Sequence, residues 1–207
     1  MTAFPRTVLP QVIARPQLVG PLISVGQGGK PQVRSTLQIG WSWTESWGPL
    51  RVGDTTAEAF QALIQSYWRS GAVLDVDHRW QRALLGVGGG TPRVNGASQT
   101  GATLATDGWP NDTANVLRAG DIIRIAGLNQ VIQVTANANS GATTGPATLS
   151  INAPIFVGGS PADDALLTIN NPAGSVVYRA IIAALKVPAA GPDEFYDGME
   201  ITFMETL

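Results

Sequence analysis

The chain has 207 residues, 44% of them apolar and only 14% charged, with a formal net charge of −2. That length buries a substantial core in one large domain or two small ones. The charge balance excludes the global basic footprint of a nucleic-acid binder, and the absence of cysteine excludes disulfides and thiolate metal sites.

A charged share so far below the usual quarter suits a β-rich protein, or one whose surfaces are covered by partners. The 24 glycines and 14 prolines point to many turns. Only two basic residues, Lys30 and Lys186, are lysines; the other eleven of the 13 are arginines. Arginine is favoured at protein interfaces, although genomic base composition produces the same bias. No apolar run reaches membrane-spanning length. The opening MTAFPRTVLPQ is broken by prolines and has no sustained apolar core, so no secretory signal is expected.

Residues 1–33 carry Pro5, Pro10, Pro16, Pro21 and Pro31, which argue against helix. They read as an extended arm with short strands, either docking on a neighbour or forming a loose tail. Next, LQIGWSWTESWGPL alternates: Leu37, Ile39, Trp41 and Trp43 share one parity. Period two predicts a strand with one buried face. Trp47 keeps that parity, but Glu45 interrupts the row. Trp41 and Trp43 are expected in the core, and Trp47, beyond the break, at a subunit contact.

A helix is predicted over about 55–70. Thr55 and Glu58 have capping-box spacing, Phe60, Leu63, Ile64, Tyr67 and Trp68 form one apolar stripe, and Gly71 can close it. AVLDVD at 72–77 reads as a strand. From Gly86 to Asn170 there are only five acids and three arginines. Short β-branched runs cross this segment (DIIRI, VIQVT, ATLSI, ALLTI), separated by Gly, Asn or Pro. That spacing predicts a small antiparallel barrel or sandwich. After NPAG at 171–174, SVVYRAIIAALKVP reads as strand at its start, and MEITFMETL alternates through Met199, Ile201 and Phe203. The expected fold is therefore mainly β. A β-sandwich-like domain with one helix, residues 1–85 and 171–207, is interrupted at 86–170 by a small barrel, OB-like or similar.

No motif reaches catalytic strength. GVGGG at 86–90 lacks the lysine and hydroxyl of a phosphate loop and opens no helix, so it reads as a hinge. GWSWT falls one glycine short of a nucleophile elbow and lies within a strand. His78 is the single histidine, so any serine triad must use it. Asp75 and Asp77 share a strand face while His78 points away, which suits a solvated strand end better than a metal site. Trp109, in DGWPND, is the one residue a glycan site could use; its other reading is a turn tryptophan covering the barrel end. No catalytic, cofactor or metal residue is expected.

The run TPRVNGASQTGATLATDGWPNDTANVLRAGDIIRI, then VIQVTANANSGATTGPATLSINAPI and PADDALLTI, resembles a stretch of tail proteins of long-tailed bacteriophages. The recurring elements are a VxGAxQTG opening, a DGWP turn, an LxAGDxIxI strand and a later GxATLxI strand, across roughly residues 91–170. The nearest role in that family is the distal tail protein of the baseplate. The resemblance implies a six-membered ring of a β-rich domain with one helix, joining the last tail-tube ring to the hub or tail-fibre proteins in the virion. On the composition above, no membrane partner and no specific nucleic-acid binding are expected; a ring of this kind has a lumen through which DNA can pass. Many members carry an extra β domain, which leaves carbohydrate recognition as the alternative. In a ring, a strand from one copy can cap the sheet of the next. Met199, Ile201, Phe203 and Trp47 are the candidate contacts.

Overall fold

The computed structural model describes residues 2–5, 7–13, 17–19, 22–25, 31–34, 40–51, 53–77, 83–155, 159–172, 175–187, 195–196 and 198–206. Within them the fold is mainly β with one α-helix. The first elements are β1 (Thr2–Ala3), β2 (Val12–Ile13), β3 (Gln17–Val19), β4 (Leu22–Val25), β5 (Pro31–Arg34), β6 (Gly40–Ser46), β7 (Leu50–Arg51), α1 (Thr55–Ser70) and β8 (Leu74–Asp77). There follow β9 (Arg93–Val94), β10 (Gly101–Asp107), β11 (Ile122–Ile125), β12 (Val131–Gln133), β13 (Ala147–Ile155), β14 (Leu167–Ile169), β15 (Val177–Lys186), β16 (Phe195–Tyr196) and β17 (Glu200–Glu205). Two compact units result: Met1–Val76 with Arg179–Leu207, and Asp77–Tyr178.

The first unit is built on a seven-stranded sheet in the order β1-β8-β15-β17-β6-β2, with β3 also on β6. β1 runs parallel to β8, and β17 is antiparallel to both β15 and β6. The arm's short strands therefore pair within this chain. β4 and β5 form a separate hairpin, and β7 pairs with β16. Period two holds along β6 and just beyond: Trp41, Trp43, Glu45 and Trp47 are buried, while Ser42, Thr44 and Ser46 are half-buried. Leu37 and Ile39 lie outside the described residues.

The core of this unit is aromatic. Trp43 stacks on Phe203 of β17, with centroids 5.2 Å apart. Phe4 meets Phe203 edge-on at 5.0 Å, Phe60 at 6.2 Å and Trp47 at 6.5 Å. Trp47 and Phe60 of α1 lie 5.6 Å apart. Such edge-to-face and offset pairs add to the area each ring buries. The layer contributing Phe60 is a helix, and among the described residues this unit has no second sheet of more than two strands. Within the described residues the helix packs on this sheet.

α1 is capped by Asp54, one residue before the expected Thr55. Asp54 accepts from Thr56 N at 2.9 Å and Ala57 N at 3.3 Å, and Glu58 reaches back to Gly53 N at 2.9 Å. Gly71 ends the helix at φ 62, a left-handed conformation that glycine adopts without Cβ strain. The buried stripe is Ala57, Phe60 and Ile64. Leu63 and Trp68, placed in that stripe by periodicity, are 38% and 46% exposed. Asp54→Ala should destabilise the first unit by about 1 kcal/mol, read from its urea midpoint.

The second unit consists of two three-stranded antiparallel sheets, β13-β10-β9 and β12-β11-β14. Isolated bridges join their edges, Arg93 with Leu166 and Val134 with Ile151. The order β9-β10-β13-β12-β11-β14 thereby closes into a six-stranded barrel, one strand more than the OB plan. Alternation fills it: Leu104, Ile123, Ile125, Leu149 and Ile151 point inward, with Val94, Trp109 and Leu117 completing the core. The unit begins before residue 86 and ends after 170. Backbone bonds account for the early start. Leu84 N donates to Asn170 O at 3.2 Å, and Val87 N and Gly88 N donate to Asn115 O and Val116 O at 2.9 Å each.

Candidate functional site

The four residues expected at subunit contacts are core residues. Trp47, Met199, Ile201 and Phe203 are 2%, 1%, 0% and 0% exposed within a single chain. The Glu45 break that set Trp47 apart is not a break. Glu45 is itself fully buried in the row, where its Oε1 accepts the Trp43 indole N–H at 3.2 Å. A carboxylate tolerates such a place when hydrogen bonds replace water. Trp47 then continues the buried face, and its Nε1 donates to Val8 O at 3.1 Å. Met199, Ile201 and Phe203 alternate as expected, but their apolar face turns into their own core.

Trp109 is no stacking platform. It is 3% exposed, and its Nε1 donates to Thr106 Oγ1 at 2.9 Å, which donates in turn to Ala147 O at 2.9 Å. The turn around it is packed closely. A Cβ on Gly145 would lie 1.9 Å from Trp109 O, so only glycine fits there. GVGGG is likewise packed against the barrel rather than a free hinge: Thr91 N, next to it, donates to Gly108 O at 2.9 Å, and a Cβ on Gly90 would lie 2.1 Å from that oxygen.

Asp75 and Asp77 share the half-buried face of β8, opposite buried Leu74 and Val76. His78 lies outside the described residues. Among the described residues, no group of three His, Cys, Asp or Glu side chains could hold a metal. Ser42 of GWSWT donates to Phe203 O at 2.9 Å and so fastens β6 to β17.

Two side chains not singled out as sites hold the barrel's motifs in shape. Asp121, 4% exposed, accepts Leu85 N at 2.7 Å, Gly86 N at 3.1 Å and Arg118 N at 2.7 Å. Gln99 Nε2 donates to the carbonyls of Asn95, Gly96 and Ala105 at 2.9–3.0 Å, while its Oε1 accepts Ala105 N at 2.7 Å. The turn-forming pair Gly120–Asp121, at the start of DIIRI, points to the first. Nothing local marks the second, because its partners span the β9–β10 turn.

The first unit exposes several large apolar side chains, among them Leu63 and Trp68 on its helix. α1 carries only Glu58 and Arg69 as charged residues. Beside exposed Leu63 runs a groove of about 380 Å³ between Pro5 and Thr7 of the arm and Ala59, Phe60 and Leu63 of the helix. Trp68 and Val73 are 46% and 40% exposed. In the barrel, the loops at 107–116 and 139–146 form a polar crown. Asp112 N donates to Gly141 O at 3.1 Å, Thr113 N to Ser140 Oγ at 3.0 Å and Asn115 N to Asn139 Oδ1 at 2.8 Å. No lysine or arginine lies in either loop.

In comparisons with known proteins, the chain matches no family model and no curated protein.

Proposed function

We propose that the chain is a structural protein of a bacteriophage tail. In this reading copies of it form a ring, six-membered by the resemblance, at the distal end of the tail tube and link the tube to the baseplate hub. The observation that carries the reading is the order of four motifs across residues 91–170. A second support is physical. The first unit exposes Leu63 and Trp68 on a helix with two charged residues, and an apolar groove runs beside Leu63; exposed large apolar side chains suit association better than solvation. Head-to-tail contact of such a surface with a different face of the next copy closes a ring. Among the described residues, no helix is long and apolar enough to cross a membrane.

The experiment is light scattering coupled to size exclusion, followed by negative-stain microscopy. The parent chain should form a closed oligomer. Leu63→Glu with Trp68→Glu should weaken association about 30-fold or more, the effect of losing a central aromatic anchor. A parent that stays monomeric at all concentrations sinks the ring reading. A monomer that binds host-surface glycan through the 107–116 and 139–146 loops would favour the alternative, a baseplate component that recognises carbohydrate.

A further inference from the structure

The sequence contains one Asn–Gly pair, Asn95–Gly96, in the turn between β9 and β10. In such a pair no side chain shields the glycine nitrogen, so it can attack the preceding side-chain amide. Asn95 is exposed, and its side chain makes no hydrogen bond to the described residues. The attacking atom, by contrast, is held. Gly96 N donates to Asp163 Oδ1 at 2.7 Å, a charge-assisted bond. The turn is fastened on either side of it, with Asn95 N on Ala105 O at 3.0 Å and Gln99 Nε2 on the Gly96 carbonyl at 3.0 Å.

We propose that Asn95 is a self-acting deamidation site whose rate is set by the Asp163 carboxylate. The Gly96 nitrogen forms a bond to Asn95 Cγ, the Cγ–Nδ2 bond breaks, and the nitrogen's proton leaves with the departing ammonia. Water then opens the five-membered imide at either carbonyl, giving aspartate or isoaspartate. Nothing is oxidised or reduced. Isoaspartate lengthens the main chain, which pulls the turn off Ala105 and Gln99. Either product places a new negative charge in the turn that Asp163 fastens. While Gly96 N–H is bonded to Asp163, the nitrogen is restrained from attacking Cγ. The rate therefore follows the fraction of molecules in which this bond is open.

The test incubates the full chain in mildly alkaline buffer and follows the amide-to-acid mass change by peptide mapping. Asp163→Ala should speed conversion at Asn95 about tenfold, the change expected for losing one charge-assisted hydrogen bond. Asp163→Asn retains an acceptor but loses the charge assistance, so its rate should fall between those of the parent and Asp163→Ala. Faster exchange of the Gly96 amide in Asp163→Ala should accompany the effect. An unchanged rate in Asp163→Ala overturns the proposal, as does equal acceleration at the other asparagines, which would indicate general loosening. If Asp163→Ala does not fold, the parent chain in urea decides: Asn95 must convert faster unfolded than folded, and equal rates overturn the restraint.

Discussion

Replacing Phe4 with alanine will lower the stability of the first unit by about 3–5 kcal/mol. Phe4 is 4% exposed and its ring touches three aromatic neighbours, from β17, α1 and the segment after β6. Truncation opens a cavity where these elements meet, and rings of this size collapse into such a space only in part. Phe4 N also donates to Asp75 O at 2.9 Å, so the arm is held by main-chain pairing as well. Phe4→Leu keeps most of the volume and should lose less than half as much. Urea unfolding followed by tryptophan fluorescence measures both, since Trp41, Trp43 and Trp47 are buried in the same unit. A loss under about 1 kcal/mol for Phe4→Ala would mean that the arm is not part of the core.

Asp121→Ala should cost the barrel about 3–5 kcal/mol, through a different mechanism. Three main-chain donors converge on this carboxylate. Each buried donor left without a partner costs roughly 1–3 kcal/mol, and the exposed surroundings of Leu85 and Arg118 let water recover part of it. Asp121→Asn keeps one acceptor oxygen and should fall between parent and alanine variant. Hydrogen exchange of peptides covering 84–88 and 116–121 is the direct readout. In Asp121→Ala both segments should lose protection together, because one side chain ties them. Loss confined to one segment would show that the carboxylate does not join them.

Periodicity was the reliable signal where one side of an element faces one kind of environment. The two-residue period of GWSWTESW placed Trp41, Trp43 and Trp47 on a single face, and the barrel strands fell where the β-branched runs lie. The same reasoning failed at Glu45. Its charge looked like a break in the row, because hydrophobic patterning cannot foresee the indole N–H of Trp43 two residues away. It failed again at Leu63 and Trp68: a helical stripe five residues rich describes which side chains are apolar, not how wide a face the sheet covers. Met199, Ile201 and Phe203 do share one strand face, but that face is core rather than surface. Whether a face turns toward its own chain or a neighbour depends on partners distant in sequence.

By itself, the sequence determined the mainly β class, the single helix with its Gly71 terminus, and the inward parity of the strands. These follow from local sterics and from the repeat of apolar residues over a few positions. Only the tertiary structure decided that Phe4 of the proline-rich arm lies against Trp47, Phe60 and Phe203, and that two three-stranded sheets close into one barrel. It also decided that Asp121 gathers donors from residues 85, 86 and 118. Apart from the Arg118 donor, three residues from Asp121, these are meetings of segments tens to nearly two hundred residues apart, selected by burial and by the need to satisfy main-chain donors, and no local pattern encodes them.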